Sequence, residues 1–269
     1  MKSTHSEELK HIVRERYTEI ARQSAEQNKA SCCGSGCGCS DSDAVMAEDY
    51  SQLEGYVPEA DLGLGCGIPT HGANIREGDV VLDLGSGAGN DVFVARRIVG
   101  ERGMVIGVDM TEIMIQKANA NKALLGYTNV EFRRGDIEKL PIDSGVVDVV
   151  ISNCVLNLVP DKAKAFAEIV RVLKPGGHFT ISDIVVTRPL PPAVQSAAEL
   201  YVGCVSGALV KDEYIALAQS AGFSNLEVIK EKLIQIPEET LLKALRRDEL
   251  EEFVKSGSSV VSITLNGKK

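Results

Sequence analysis

The chain has no tryptophan, and aromatic residues make up only 4% of it. A binding surface built on aromatic stacking platforms is therefore not expected. There is no basic surplus either. Twenty-nine lysines and arginines face 38 aspartates and glutamates, a formal net charge of −9. Binding to nucleic-acid phosphates by counterion release is disfavoured on that balance, so no nucleic-acid partner is expected. No apolar run approaches the length of a membrane span, which argues against a membrane partner. The start, Met1-Lys2-Ser3-Thr4-His5-Ser6-Glu7-Glu8, has no apolar signal region, so a cytoplasmic location is expected. The paired C-x-x-C spacing of zinc knuckles is also missing.

What is present begins with an ordinary globular composition: 269 residues, 44% hydrophobic and 25% charged. That is chain enough for one large domain with appendages and a sizeable core. Seven cysteines are the unusual item, and an odd number cannot all pair within one chain. In a reducing compartment they are metal-binding, reactive or inert core residues. Four cluster at Cys32, Cys33, Cys37 and Cys39, while Cys66, Cys154 and Cys204 are scattered.

Residues 7–25 read as an amphipathic helix, with Leu9, Ile12, Val13, Tyr17, Ile20 and Ala21 on one face. A small, polar, glycine-rich stretch over 29–43 reads as a loop. From residue 79 short apolar runs alternate with helical text. The runs are VVLDLG, VIGVDM (105–110), VEFRRGD (130–136), VVDVVISN (146–153) and HFTISDIVV (178–186). Such alternation predicts a parallel sheet with right-handed crossovers. DKAKAFAEIVRVLKPGG reads as a helix stopped by Pro-Gly-Gly. Residues 192–222 read as helical with a break at Tyr201–Gly207, and LEVIKEKLIQI and VVSITLNGK read as closing strands.

The stretch Asp83-Leu84-Gly85-Ser86-Gly87-Ala88-Gly89-Asn90 follows the first strand and opens a helix. In an open α/β sheet, ligands bind at the carboxyl ends of strands, where glycines let the backbone approach closely. A dinucleotide fingerprint would carry its third glycine where Asn90 stands, which counts against NAD. Asp109 ends the second strand, where a carboxylate can accept from both ribose hydroxyls. Together these features point to an adenosine cofactor.

This block resembles the class I S-adenosylmethionine-dependent methyltransferases, through VLDLGSGAGND, GVDM, GDIEKLP, VVDVVISN and LKPGGHFTISD. The resemblance implies an α/β, Rossmann-like, doubly wound and mostly parallel sheet. It would carry an N-terminal helical arm and a C-terminal α+β extension. The divisions expected are 1–72 (helix, cysteine-rich loop and lid segment), 73–186 (cofactor domain) and 187–269 (substrate-side helices and closing strands). By the same resemblance, Asp83, Gly85, Ser86, Gly87 and Asn90 lie against the amino-acid end of S-adenosylmethionine. Asp109 holds the ribose, Met110 flanks the adenine, and Asp136 and Ile137 cover the adenine edge. Asn153 would sit near the transferred methyl group.

No histidine or tyrosine occupies an obvious position for a general base. Cys154 stands at the end of the fourth strand, where the acceptor belongs, and suits a buried packing thiol as well as a functional one. Cys66 and Cys204 are preceded by glycine, as in exposed turns. Three convergent thiolates suit a soft, thiophilic centre that brings its own lone pair.

On GLGCGIP, ISNCVLNLVPDK, RVLKPGG, ISDIV and Gly-Cys-x-Ser-Gly-Ala-Leu, residues 30–215 further resemble the arsenite S-adenosylmethionine methyltransferases. That resemblance implies arsenic(III), delivered as arsenite or a thiol adduct, held by Cys66, Cys154 and Cys204 and methylated on its lone pair. An upstream cysteine, Cys33 or its neighbour Cys32, would support redox turnover. A thiol reductant, glutathione or a thioredoxin-like protein, would be the partner, and the acidic surface is compatible with a monomer. Two other readings stay open: a methyltransferase for a small organic acceptor, and a thiol-rich metalloid binder on the same scaffold.

Overall fold

The computed structural model describes residues 2–23, 48–196, 205, 207–236 and 238–269. Cys32, Cys33, Cys37, Cys39 and Cys204 lie outside the described residues.

Seven strands form one sheet. They are β1 (Val80–Leu84), β2 (Met104–Asp109), β3 (Val130–Arg134), β4 (Val147–Asn153), β5 (Leu173–Val186), β6 (Ser224–Ile234) and β7 (Val260–Lys268). Their order is β3-β2-β1-β4-β5-β7-β6. The first five pair in parallel, and β7 runs antiparallel between β5 and β6. Val81, Leu82 and Leu84 are fully buried, as befits a central strand covered on both faces. Strand order reverses between β1 and β4, and that switch point opens a cleft at the carboxyl ends. The two closing strands thus complete the main sheet rather than forming one of their own.

The helices are α1 (Lys2–Arg22), α2 (Asn90–Val99), α3 (Glu112–Leu125), α4 (Lys162–Val172), α5 (Pro192–Ser196), α6 (Lys211–Ser220), α7 (Glu238–Ala244) and α8 (Arg247–Ser256). Helix α4 starts where the Asp161 side chain accepts from Lys164 N at 3.0 Å. It ends at Val172, earlier than the Pro-Gly-Gly signal suggests. Leu173 already pairs with Val147, and a register shift absorbs the Pro-Gly-Gly before His178 pairs with Val149. On one face of the sheet Phe166, Phe179, Tyr214 and Phe223 pack edge to face or tilted. On the other, Phe93 and Met114 pack against Val81 and Val105.

Helix α1 departs from the expected apolar face at two positions. Ile12 is exposed, whereas Lys10 is buried with Val13, Ile20 and Ala21. The expected face otherwise packs inward, and Lys10 joins it. No helix among the described residues is long and apolar enough to cross a membrane.

Candidate active site

The glycine loop bends through the left-handed region at Gly85 (φ 68°), Gly87 (φ 52°) and Gly89 (φ 102°). Side chains are disfavoured there on backbone grounds alone. A Cβ at Gly85 would also lie 2.4 Å from a Val155 methyl, while one at Gly87 would meet nothing within 4 Å, so the loop is open on that side. Asp109 holds the loop from the next strand. Its Oδ2 accepts from Gly87 N at 3.0 Å and its Oδ1 from Thr111 N at 2.7 Å. The Thr111 side chain also donates to this carboxylate.

Three carboxylates, Asp83, Asp91 and Asp109, gather around this loop. Burial, then the charges of Asp91 and Asp109, push the Asp83 carboxyl well above the usual range. Burial raises Asp109 as well, against the hydrogen bonds from Thr111 and Gly87. A cationic ligand would relieve this concentration of negative charge. Ser86 Oγ and Asn90 Oδ1 are buried without a hydrogen-bond partner. An open glycine cradle, unmet polar atoms and clustered acids fit a ligand with an ammonium and a sulfonium. Met110 follows Asp109 and packs beside the cluster that contains Cys66 and Cys154. Gly135 N donates to Asp109 O at 3.0 Å, which brings Asp136 and the buried Ile137 to the same edge.

Asn153, at the end of β4, joins the loop's acids to the lid segment: its Nδ2 donates to Asp91 Oδ2 at 3.2 Å. Its Oδ1 accepts from Cys66 N at 3.0 Å, and its Nδ2 donates to Gly67 O at 2.8 Å and to the Tyr50 hydroxyl at 2.9 Å. Tyr50 in turn lies 2.9 Å from Asp91 Oδ1. A Cβ on Gly65, at φ 101°, would come within 2.7 Å of Asn153 Nδ2, so glycine permits this approach. The Ser262 hydroxyl donates to Cys66 O at 2.6 Å. Cys66 is 1% exposed, which corrects the expectation of an exposed turn. Its flanking glycines serve close packing against Asn153 and Ser182 instead.

Cys154 is also buried, in the same cluster, and both residues are thiols rather than disulfide halves. Its backbone is unusual: φ is 60°, one of three non-glycine positive values among the described residues. An L-residue there carries strain of roughly 1 kcal/mol or more, and such strain concentrates at functional sites. The pairing of Cys154 N with Ser182 O at 2.7 Å holds the turn. Val205, next to Cys204 in sequence, lines the same cluster. The structure thus brings Cys66 and Cys154 together beside the glycine loop.

One chain similar over nearly its whole length is an arsenite methyltransferase of Halobacterium salinarum. It is 40% identical over 98% of this chain and 67% of that protein. The chain belongs to the arsenite methyltransferase family. A methyltransferase-domain model matches residues 75–222. The human arsenite methyltransferase is 38% identical over 67% of this chain and 50% of its own length. A solved arsenic(III) S-adenosylmethionine methyltransferase from Chlamydomonas reinhardtii superposes with a TM-score of 0.67 at 37% identity, covering 84% of this chain and 72% of that one. The expected class I fold and the expected cofactor, S-adenosylmethionine, are borne out.

Sequence reasoning passed over several residues. Tyr50 carries no motif of its own, and Asp91, the last residue of VLDLGSGAGND, had no role assigned; both acquire meaning through Asn153. Asp183 was quoted within ISDIV without a role. It is fully buried on β5 and accepts from Ile184 N at 2.9 Å and from the Tyr214 hydroxyl at 3.0 Å. Burial pushes its carboxyl up to about 6 against those hydrogen bonds and Lys162. A raised acid favours the folded state at low pH and loses that contribution as pH climbs from the unfolded value near 4 to about 6. The shift is worth roughly 3 kcal/mol. Asp183→Asn is therefore expected to melt higher than the parent at pH 7 and to lose that advantage by pH 4. Melting curves that stay parallel across this range would show that the charge costs nothing.

Proposed function

We propose that this chain methylates trivalent arsenic bound by Cys66, Cys154 and Cys204, using S-adenosylmethionine. The observation that carries the reading is the meeting of Cys66 and Cys154 in one buried cluster beside the glycine loop. Bound S-adenosylmethionine supplies an electrophilic methyl group on a positively charged sulfur. Asp83, Ser86 and Asn90 receive its amino-acid end, Asp109 its ribose hydroxyls, and Met110 and Ile137 pack against its adenine. The acids around the loop would attract the cationic cofactor into the site.

Thiolates are soft ligands, and arsenic(III) is a soft centre that keeps a lone pair when three sulfurs hold it. Cys66 and Cys154, with Cys204, orient that lone pair towards the methyl carbon, so no general base is required. Methylation oxidises arsenic formally by two electrons. A dithiol, from Cys33 and its neighbours or from glutathione or a thioredoxin-like partner, returns it to the trivalent state as a disulfide forms. Action as a cytoplasmic monomer is part of the same reading.

Incubation with arsenite, S-adenosylmethionine and a thiol, followed by mass detection of methylated arsenic, tests it. Turnover of an organic acceptor instead would move the assignment to that class. Arsenite binding without cofactor consumption would make the chain a binder.

Tyr50 gives a narrower check. Tyr50→Phe removes the hydroxyl that braces the direct Asn153–Asp91 contact and costs Asp91 Oδ1 a donor, at about 1–3 kcal/mol. The expected result is a roughly tenfold rise in KM for arsenite with cofactor affinity retained. A parent-like KM would detach the Tyr50 network from Cys66.

A further inference from the structure

Lys10 projects from α1 onto two carboxylates, the buried Glu138 and the half-exposed Asp136. Its Nζ lies 2.7 Å from Asp136 Oδ2 and 2.8 Å from Glu138 Oε2. Lys10 and Glu138 are 7% and 6% exposed, so their arm of the pair is no surface ion pair, while Asp136 meets solvent on its far side. Both acids belong to the short turn after β3. Within it Glu138 N donates to Asp136 Oδ1 at 2.9 Å and Lys139 N to Asp136 O at 2.9 Å. Glu138 Oε1 accepts from Asp161 N at 3.0 Å, which ties the turn to the start of α4. One ammonium therefore joins three elements around the turn that carries Asp136 and Ile137.

The rest of the inward face of α1 continues over the same cleft. Val13 is buried in the cluster of Cys66 and Cys154, with Met110 packed against it. Tyr17 packs beside both that cluster and the one that Phe132 borders. Spacings of three and seven residues from Lys10 put these side chains on one stripe of the helix. Helix α1 packs on α3 and reaches the turn after β3, on the side where the adenosine half of the cofactor would lie.

We propose that Lys10 is a positioning residue for cofactor binding: it fixes α1 as the roof of the adenosine pocket and aligns the turn that bears Asp136 and Ile137. The inference rests on the cofactor reading above. Without the ammonium, Asp136 and Glu138 confront each other across one turn, and Glu138 has little solvent to retreat to. The turn then opens, and the pocket must be ordered at the expense of cofactor affinity. The effect falls on binding and not on the transfer step, because Lys10 touches neither thiol.

The test is calorimetric titration of S-adenosylhomocysteine into the full chain and its Lys10→Met and Lys10→Arg variants, with kcat and KM for S-adenosylmethionine measured beside it. Lys10→Met is expected to weaken S-adenosylhomocysteine about tenfold and raise KM likewise, with kcat at saturation changed less than about twofold. Lys10→Arg should recover most of the loss, since it can pair with both carboxylates. If Lys10→Met does not fold, Lys10→Met/Glu138→Gln removes the unpaired buried charge while its amide oxygen still accepts from Asp161 N. It should fold and keep the weakened affinity. Parent-like affinity in the folded Met variant overturns the inference, as does a loss confined to kcat or melting temperature. A parent chain that fails to bind S-adenosylhomocysteine overturns the cofactor reading itself. A parent that binds alongside an unaffected Met variant overturns the role of Lys10 alone.

Discussion

Cys154→Ser is expected to bring arsenite methylation down to background while cofactor affinity stays within about threefold of the parent. Serine nearly preserves the size of the side chain and accepts the same positive φ no worse than cysteine, so the turn after β4 has no reason to move. What changes is the ligand atom. A neutral hydroxyl is a hard, weak donor towards a soft centre. Cys66→Ser should behave in the same way, since the two thiols occupy one buried cluster. Activity of the parent should rise with pH through the thiolate range, because the deprotonated sulfur is the ligand. Arsenite turnover retained in either variant, measured by mass detection of methylated product, would reduce the thiols to packing residues. It would also return the organic-acceptor reading to first place.

Asp109→Ala is expected to weaken S-adenosylmethionine binding by roughly a hundredfold. Hydrogen bonds to a charged group are worth about 1.5–3 kcal/mol each, and ribose would supply two donors. The loss is compounded inside the protein. Gly87 N and Thr111 N both donate to this carboxylate, so the glycine loop loses its anchor together with the ligand. Asp109→Asn should fall between the two, since the amide oxygen replaces one acceptor and none of the charge. Calorimetry is the measurement, and an unchanged affinity for either variant would remove Asp109 from the cofactor site.

Much of this could be read before any fold was known because it rests on local chemistry. The run VVLDLGSGAGN is a buried strand, a tight turn and a helix start in consecutive residues, and each step constrains the next. Asp109 was legible for a related reason: it sits at a fixed distance along one crossover unit. The cysteines were legible as a set through their flanking residues, yet their surroundings were misjudged. Glycines beside Cys66 suggested an exposed turn, but they admit the Asn153 and Ser182 side chains to within contact. Helix α1 was found at nearly its full length by periodicity. The burial of Lys10 on its inward face was not, because periodicity ranks lysine as polar and has no means of knowing that two carboxylates await it.

The sequence by itself determined the parallel sheet, the glycine loop, the acid that ends β2 and the identity of the thiols. These depend on hydrophobic pattern, backbone freedom and ligand softness, all properties of residues and their near neighbours. Only the tertiary structure decided what meets what across the sheet. It joined Asn153 to the Cys66 backbone, linked Tyr50 to Asp91, set Tyr214 against Asp183 and turned Lys10 onto Asp136 and Glu138. Each is a buried or half-buried polar contact between segments far apart in the chain. A buried polar group must find a partner, but nothing in its own neighbourhood says which one, and only the packing of the whole chain supplies the answer.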